Sequence, residues 1–400
     1  MAGRSPAAAK VTSSRFHLKA GGRRKETDGA DYFDYNLLAV IVLLTAFGLV
    51  MQYSVTAYDV QVSHSTAFMK QVLIAAGSVV LLIIVSRVDY HRYTRRAGLA
   101  YFLSCLLLIA TRFIGTNVNG ATRWIRIGPV QFQPAEVAKL TVILFCPVLI
   151  VKMGRKFRRY KGQFLVLGTG MLTLVLTRFF TDNLSTAIII FGITYVMVIV
   201  ADPHPKWYVM LLIGGIGIAF ITYFVLKGTV STGGITDFRM RRILVWLDPE
   251  GNQKDGGYQV MQGLYAIGSG GVFGKGLGNS TQKLGALPEA ENDMIFAIIC
   301  EELGMVGAFI VIGLFIYLLY RLFFIALNAP DLLGSLITVG IFTHVALQVV
   351  LNIAVVLNVI PTTGITLPFV SYGGTSLLFL MAEMGIALNI SGQITERKRT

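Results

Sequence analysis

Charge is scarce in this chain. Asp, Glu, Lys and Arg together make up 14% of its 400 residues, against roughly 25% in ordinary soluble domains. Acids are the scarcer sign, 21 against 35 basic residues, which leaves a net charge of +14. There are three cysteines, Cys105, Cys146 and Cys300. All lie in apolar stretches without metal-ligand spacing, so they read as small packing residues rather than disulfide partners. The histidines, His17, His64, His91, His204 and His344, are scattered singly and suggest no metal site. No serine has a believable histidine partner for a hydrolase triad, and no internal repeat is evident.

What the chain has in abundance is apolar residues: 54% are hydrophobic and the mean hydropathy is +0.66. Many segments approach the roughly 20 apolar residues needed to cross a bilayer. One polytopic membrane domain is therefore expected in place of several soluble ones. Backbone in lipid must satisfy its own hydrogen bonds, so the spans are helices and the fold class is all-α. Ten spans are expected, near 36–52, 68–85, 97–114, 135–151, 163–180, 184–201, 207–226, 294–320, 332–356 and 366–390. The first apolar run begins near Leu37, after a long basic tail, and no cleavable signal peptide is read there.

The positive charge could suggest nucleic acid, but it clusters at the ends of apolar segments, as the positive-inside rule requires, and no nucleic-acid partner is expected. The tail before span 1, the 2–3 loop (Arg87, Arg92, Arg95, Arg96), the 4–5 loop KMGRKFRRYK and the C-terminal ERKRT are basic, whereas 53–67 and 357–366 carry no Lys or Arg. Both termini and the even-numbered loops are thus expected in the cytoplasm. The chain divides into a basic tail (1–35), a ten-helix domain (36–392) with a large extracytoplasmic loop (227–293), and a short basic C-terminus (393–400).

Within that loop Met240, Ile243, Leu244 and Leu247 follow helical spacing, with Arg239 and Arg242 off that face. This predicts a short interfacial helix, either a plain anchor or one whose arginines, Arg239, Arg241 and Arg242, meet phosphates. IGSGGVFGKGLGNS (267–280) sets six glycines around Lys275. It is no nucleotide loop, since Ser269 and Gly276 break the pattern. It reads as a flexible re-entrant turn or as a strip that brings N–H groups and an ammonium to a phosphate. Then LPEAENDMIFAIICEELG carries five acids, Glu289, Glu291, Asp293, Glu301 and Glu302, into an apolar helix, where each costs several kcal/mol unless paired or used. Asp293 falls at the outer mouth of span 8 and is the candidate general base or hard-cation ligand; like charges nearby would raise its pKa. Glu301 lies about 12 Å deeper and reads best as the partner of a cation such as Lys139, with Glu136 placed to do likewise.

Three stretches, GATRWIRIGPVQFQPAEVAKL, GYQVMQGLYAIGSGGVFGKGLGNSTQKLGALPEAENDMIFAIICEELGMVG and NVIPTTGITLPFVSYGGTSLL, resemble the SEDS family (shape, elongation, division and sporulation proteins) from span 1 to span 10, and its division branch more than its elongation branch. The resemblance implies a bacterial peptidoglycan glycosyltransferase at the outer face of the cytoplasmic membrane, at the division septum. It would polymerise lipid II into β-1,4 glycan with inversion at the donor sugar, using no organic cofactor, alongside a class B penicillin-binding protein and other divisome membrane proteins. The alternatives are a lipid II flippase or an elongation or sporulation paralogue. The family's essential aspartate maps to Asp293, which would deprotonate the acceptor hydroxyl or hold a divalent cation, Mg or Mn. We take Lys275, Arg241, Arg242, Trp124, Glu289, Gln259 and Ser371 as candidate substrate-binding residues, and Glu136, Lys139, Glu301 and Pro368 as supporting ones. Ala135 departs from the family's usual serine, TDNLST (181–186) from its usual PDLGT, and Thr375 from its usual serine.

Overall fold

The computed structural model describes residues 31–56, 64–118, 121–128, 130–229 and 238–395. Most of the basic tail, the C-terminal ERKRT, and parts of the 53–67 and 227–293 loops lie outside the described residues. The long helices are α1 Tyr35–Thr56, α2 His64–Arg87, α4 Ala97–Ile114, α5 Pro134–Met153, α6 Tyr160–Phe180, α7 Leu184–Ala201, α8 Lys206–Thr229, α11 Ile295–Asn328, α12 Leu332–Val356 and α13 Gly374–Ser391. Among the described residues nine helices are long and apolar enough to cross a membrane. That set does not include α8, which lies where the seventh span is expected. Short helices α3 Tyr90–Arg95, α9 Phe238–Leu247 and α10 Gly257–Gly270 complete the helical part.

Side chains such as Leu73, Leu211 and Phe309 are about two-thirds exposed on the outside of the bundle. Apolar surface on that scale belongs in lipid. Inside, α1 packs on α11, α13 lies along α2, and α12 touches α5, α7 and α11. The bundle has two distinguishable ends. At one, Asp34 forms a buried ion pair with Arg321 (2.7 Å), and β1 (Asp31–Tyr32) pairs antiparallel with β5 (Ile394–Thr395). At the other, the last turns of α1 meet the segment that carries Asp293.

That second end departs from a purely helical reading. Residues 116–132 form a three-stranded antiparallel meander, β2 Thr116–Val118, β3 Ala121–Ile127 and β4 Val130–Phe132, built where Thr, Ile, Val and Trp alternate with polar residues. The last span starts eight residues later than expected. Residues 357–373 are not helical, because Pro368 and the Gly373–Gly374 pair interrupt the apolar run before α13.

The largest surprise is inside the long loop. The helix α10 packs along α11, and the glycine strip after it is an ordered part of the bundle, not a loose turn. At Gly304, with φ +67°, α11 breaks. Lys275 and Gly276 donate backbone N–H groups to the carbonyls of Glu301 and Glu302 (3.0 and 2.9 Å), and Met305 and Val306 donate to Gly271 and Val272 (3.0 and 3.1 Å). The strip thus supplies the partners that the unwound turn of α11 loses, which a membrane interior demands. A Cβ at Gly274 would collide with the Glu302 carbonyl, so glycine is required for this approach.

Candidate active site

Asp293 closes a tight turn just before α11. Glu289 adopts a left-handed φ of +55°, and its carbonyl accepts from the amides of Asn292 (3.0 Å) and Met294 (3.3 Å). Three side chains from elsewhere then clamp this turn to the 357–373 segment. Gln52 of α1 donates to the carbonyls of Glu291 (2.9 Å) and Val370 (3.1 Å). Asn352 of α12 donates to those of Asp293 (2.9 Å) and Ile365 (2.7 Å). The Ser371 hydroxyl donates to the Asn292 carbonyl (2.6 Å) while accepting from the Leu367 amide (2.7 Å). Rigid backbone on both sides fixes where the Asp293 carboxyl points.

The carboxyl itself is left available. Its Oδ1 is enclosed and has no hydrogen-bond partner. Burial, and secondarily the Glu289 carboxylate, push its pKa up to about 7, against the opposing pull of Arg242. Arg242, on α9, donates to the Thr362 carbonyl (3.2 Å) and is held below the usual guanidinium range by burial. Arg123, on β3, is lowered too, by burial and then by Arg242. Its Nε is buried without a partner, and its NH2 donates to the Asp182 carbonyl (3.1 Å). A Cβ placed on Gly364 would lie 3.8 Å from Arg123 NH1 and 4.0 Å from Asp293 Oδ2, so both groups flank that glycine. The Thr122, Thr363 and Asn352 side-chain oxygens are also buried without partners. Two guanidiniums that disfavour one another, beside one carboxyl and several unpartnered polar atoms, suit an anionic, hydroxyl-bearing ligand.

Of the other candidates, Glu289 is exposed beside Asp293, with its Oε2 accepting from Asn292 (2.5 Å). Trp124 neighbours Arg123 on β3, half-buried, and Gln259 lies half-buried on α10. The Arg241 side chain lies outside the described residues. Ser371 and Pro368 are buried, and the Ser371 hydroxyl is committed to the backbone as described, which makes it a clamp rather than a ligand group. Lys275 binds Glu301 Oε1 at 2.6 Å while its side chain stays partly exposed. The expected Glu301–Lys139 pairing is thereby corrected. Glu301 also accepts from the Thr281 amide (3.1 Å) and hydroxyl (2.9 Å) and from Ser280. Glu302 takes Lys283 (2.7 Å) and Ser54 (2.7 Å). Lys139 pairs instead with Glu136, one turn away on α5, at 2.9 Å.

Sequence reasoning passed over Arg123, Gln52, Asn352, His344, Gln348 and Glu383. A signal existed for some of them. Arg123 and Arg126 are the two cations of the 115–134 loop, and His344, Gln348 and Asn352 repeat every fourth residue along one face of an apolar helix.

Among the described residues no cluster of three His, Cys, Asp or Glu is placed to hold a metal. Glu289 is the other acid at Asp293, and its oxygen is engaged by Asn292. A divalent cation at this site would be held through Asp293 and substrate phosphates, not by a cage of protein ligands.

Comparison with known proteins places the chain. The family model described as cell cycle protein, covering FtsW, RodA and SpoVE, matches residues 34–396. The stage V sporulation protein E of Bacillus subtilis is 36% identical over 363 residues, spanning 90% of this chain and 96% of that protein. The probable peptidoglycan glycosyltransferase FtsW of Trichlorobacter lovleyi is 35% identical over 90% of this chain and 93% of that protein. Among solved structures, a chain from a peptidoglycan synthase complex superposes with a TM-score of 0.73 at 28% identity, covering 90% of this chain and 97% of that one. The rod shape determining protein RodA of Thermus thermophilus does so at 0.64 and 26%, covering 91% and 98%. A multi-pass bundle with these motifs, matched end to end, belongs to the FtsW, RodA and SpoVE family of cell cycle proteins, the SEDS family.

Proposed function

We propose that the chain is a peptidoglycan glycosyltransferase that polymerises lipid II on the outer face of the cytoplasmic membrane, with both termini in the cytoplasm and its work at the division septum. One observation carries the reading: the unpartnered Asp293 carboxyl, with its pKa near 7, at the edge of an apolar bundle and beside two buried guanidiniums. A base poised near neutral pH suits removal of a hydroxyl proton. Asp293 Oδ1 takes the proton of the acceptor 4-hydroxyl as that oxygen attacks the donor's anomeric carbon from the face opposite the pyrophosphate. The new C–O bond forms while the bond to the phosphate oxygen breaks, and the electron pair leaves on the pyrophosphate. Arg242 and Arg123 offset the charge that develops there. Displacement from the opposite face inverts the anomeric centre and yields the β-1,4 link. The polyprenyl chain stays in lipid while the sugar reacts at the edge.

Relatives named for peptidoglycan glycosyltransfer and for a peptidoglycan synthase complex coordinating polymerization and crosslinking support this reading. They also support a class B penicillin-binding protein as partner, cross-linking the product. The test is the purified full chain in vesicles with lipid II and that partner. Glycan polymer from the parent, and lipid II binding without polymer from Asp293→Asn, is the expected result. Translocation of lipid II that survives in Asp293→Asn, with no polymer from the parent, would make the chain a transporter.

A further inference from the structure

A second polar cluster lies deep in the bundle, away from the reacting groups. Its members are Glu136 and Lys139 on α5, His344 and Gln348 on α12, and Glu383 on α13, all less than a tenth exposed. The Lys139 ammonium has three protons and three acceptors around it: Glu136 Oε1 at 2.9 Å, His344 Nε2 at 2.8 Å and Gln348 Oε1 at 3.4 Å. His344 Nε2 also lies 2.9 Å from Gln348 Oε1, so the imidazole edge touches both the lysine and the amide. Its Nδ1 faces Glu383 Oε2 at 2.7 Å. With its oxygen turned toward Lys139, the Gln348 amide presents its NH2 to the Thr366 carbonyl at 3.0 Å. The contacts thus run from Glu383 through His344 to Lys139 and Gln348, and from Gln348 into the 357–373 segment. A small cavity lined by Glu136, His344, Gln348, Thr366, Ser371 and Leu380 adjoins them.

The geometry points to Glu383 and His344 as positioning residues for the glycosyl transfer. Glu383 orients the imidazole that, together with Lys139, holds the Gln348 amide oxygen. Gln348 in turn holds the Thr366 carbonyl, in the segment whose Ser371 hydroxyl clamps the Asn292 carbonyl next to Asp293. Glu383 is the only member with an unpartnered oxygen, Oε1. Its whole described contribution is therefore to orient the imidazole. Without that partner the buried Nδ1 edge is left unsatisfied, and the ring turns away from Lys139 and Gln348. Gln348 is then free to turn its amide and release Thr366. Asn352, one turn further along α12, shares the same helix face and still bonds the Asp293 carbonyl, so the expected fault is a displaced base, not a lost fold.

This inference rests on the proposed glycosyltransfer, and the test separates the two. Full-length Glu383→Leu, His344→Phe and Glu383→Gln are assayed with lipid II and the partner beside the parent. A parent that makes no glycan removes the functional reading itself. With an active parent, Glu383→Leu and His344→Phe are expected to lower kcat at least about ten-fold, as displaced reacting groups do, with KM for lipid II within about two-fold. The pH midpoint of the rate should fall from about 7 toward the ordinary carboxylate range as the enclosure of Asp293 opens. Glu383→Gln keeps a hydrogen-bonding partner for Nδ1 and should restore at least about a third of kcat. Parent-like kcat in both disruptive variants overturns the proposal, as does a loss carried by KM with the pH midpoint unmoved. Should Glu383→Leu not fold, Glu383→Asp decides. It withdraws the oxygens by one carbon–carbon bond; a kcat drop of about three-fold or more supports the proposal, and unchanged kcat overturns it.

Discussion

Asp293 and the Glu301–Glu302 pair stand eight and nine residues apart in one short stretch, yet they are opposites. Glu301 and Glu302 are wholly buried and wholly used. Each takes a lysine from the re-entrant strip, Lys275 and Lys283, and further donors besides. They fasten that strip to the broken turn of α11. Asp293 is half-buried, has an oxygen with no partner, and is pushed toward neutrality rather than held charged. Depth in the membrane is therefore a poor guide to which acid reacts. The decisive difference is whether the carboxylate's lone pairs are spoken for: Glu301 and Glu302 are taken up by lysines and hydroxyls, whereas an enclosed carboxyl with a free oxygen is poised to trade a proton.

Substitutions sharpen the contrast. The largest effect is expected from Asp293→Asn, which should lower lipid II polymerisation by roughly 10³-fold, in the range found when a general base is removed, as read on a glycan gel. The same change should raise the melting temperature at pH 8. A carboxyl whose folded pKa is raised binds its proton more tightly in the folded chain. Stability is then lost as pH climbs from about 4 through 7, and the amide escapes that loss. Removing Arg242 or Arg123 as Gln should cost about 10²-fold in kcat, the scale of losing one preorganised charge stabiliser, and Arg242→Gln should also move the pH midpoint upward.

On the paired side the expectation reverses. Glu302→Leu leaves the fully buried Lys283 ammonium unmatched and should destabilise the protein by about 3–5 kcal/mol, measured by thermal unfolding in detergent. The double change Glu302→Leu with Lys283→Met should recover much of that loss. The smallest effect belongs to Glu289→Gln. It removes the secondary cause of the raised Asp293 pKa and should lower the pH midpoint of the rate by a few tenths of a unit, with kcat at high pH little changed. An unmoved midpoint would mean that Glu289 is not sensed by Asp293.

Much of this was legible in the residues. Apolar run length gave the long helices, and the helical spacing around Leu244 gave α9. The acid-rich entry to α11 singled out Asp293 before any geometry was known. What the residues could not show is pairing across distant segments. Lys139 and Lys275 look equally suitable as partners for Glu301. Only the break at Gly304, which draws the glycine strip against α11, selects Lys275. Arg123 was not told apart from its neighbours Trp124 and Arg126, which strand alternation turns to the opposite face. The delayed start of α13 was hidden because Thr366–Tyr372 is apolar enough to read as membrane span. Its role is to pass non-helical backbone through the bundle, where Gln52, Gln348 and Asn352 satisfy it.

The account stands most directly on the pH dependence of polymerisation by the parent and by Asp293→Asn, measured with purified lipid II and the partner from pH 5.5 to 9. The prediction is a parent rate rising about ten-fold between pH 6 and 8, with its midpoint near 7, and no measurable rise in the variant. A variant that polymerises within about three-fold of the parent, or a parent rate flat across that range, would contradict the assignment of Asp293 as the base.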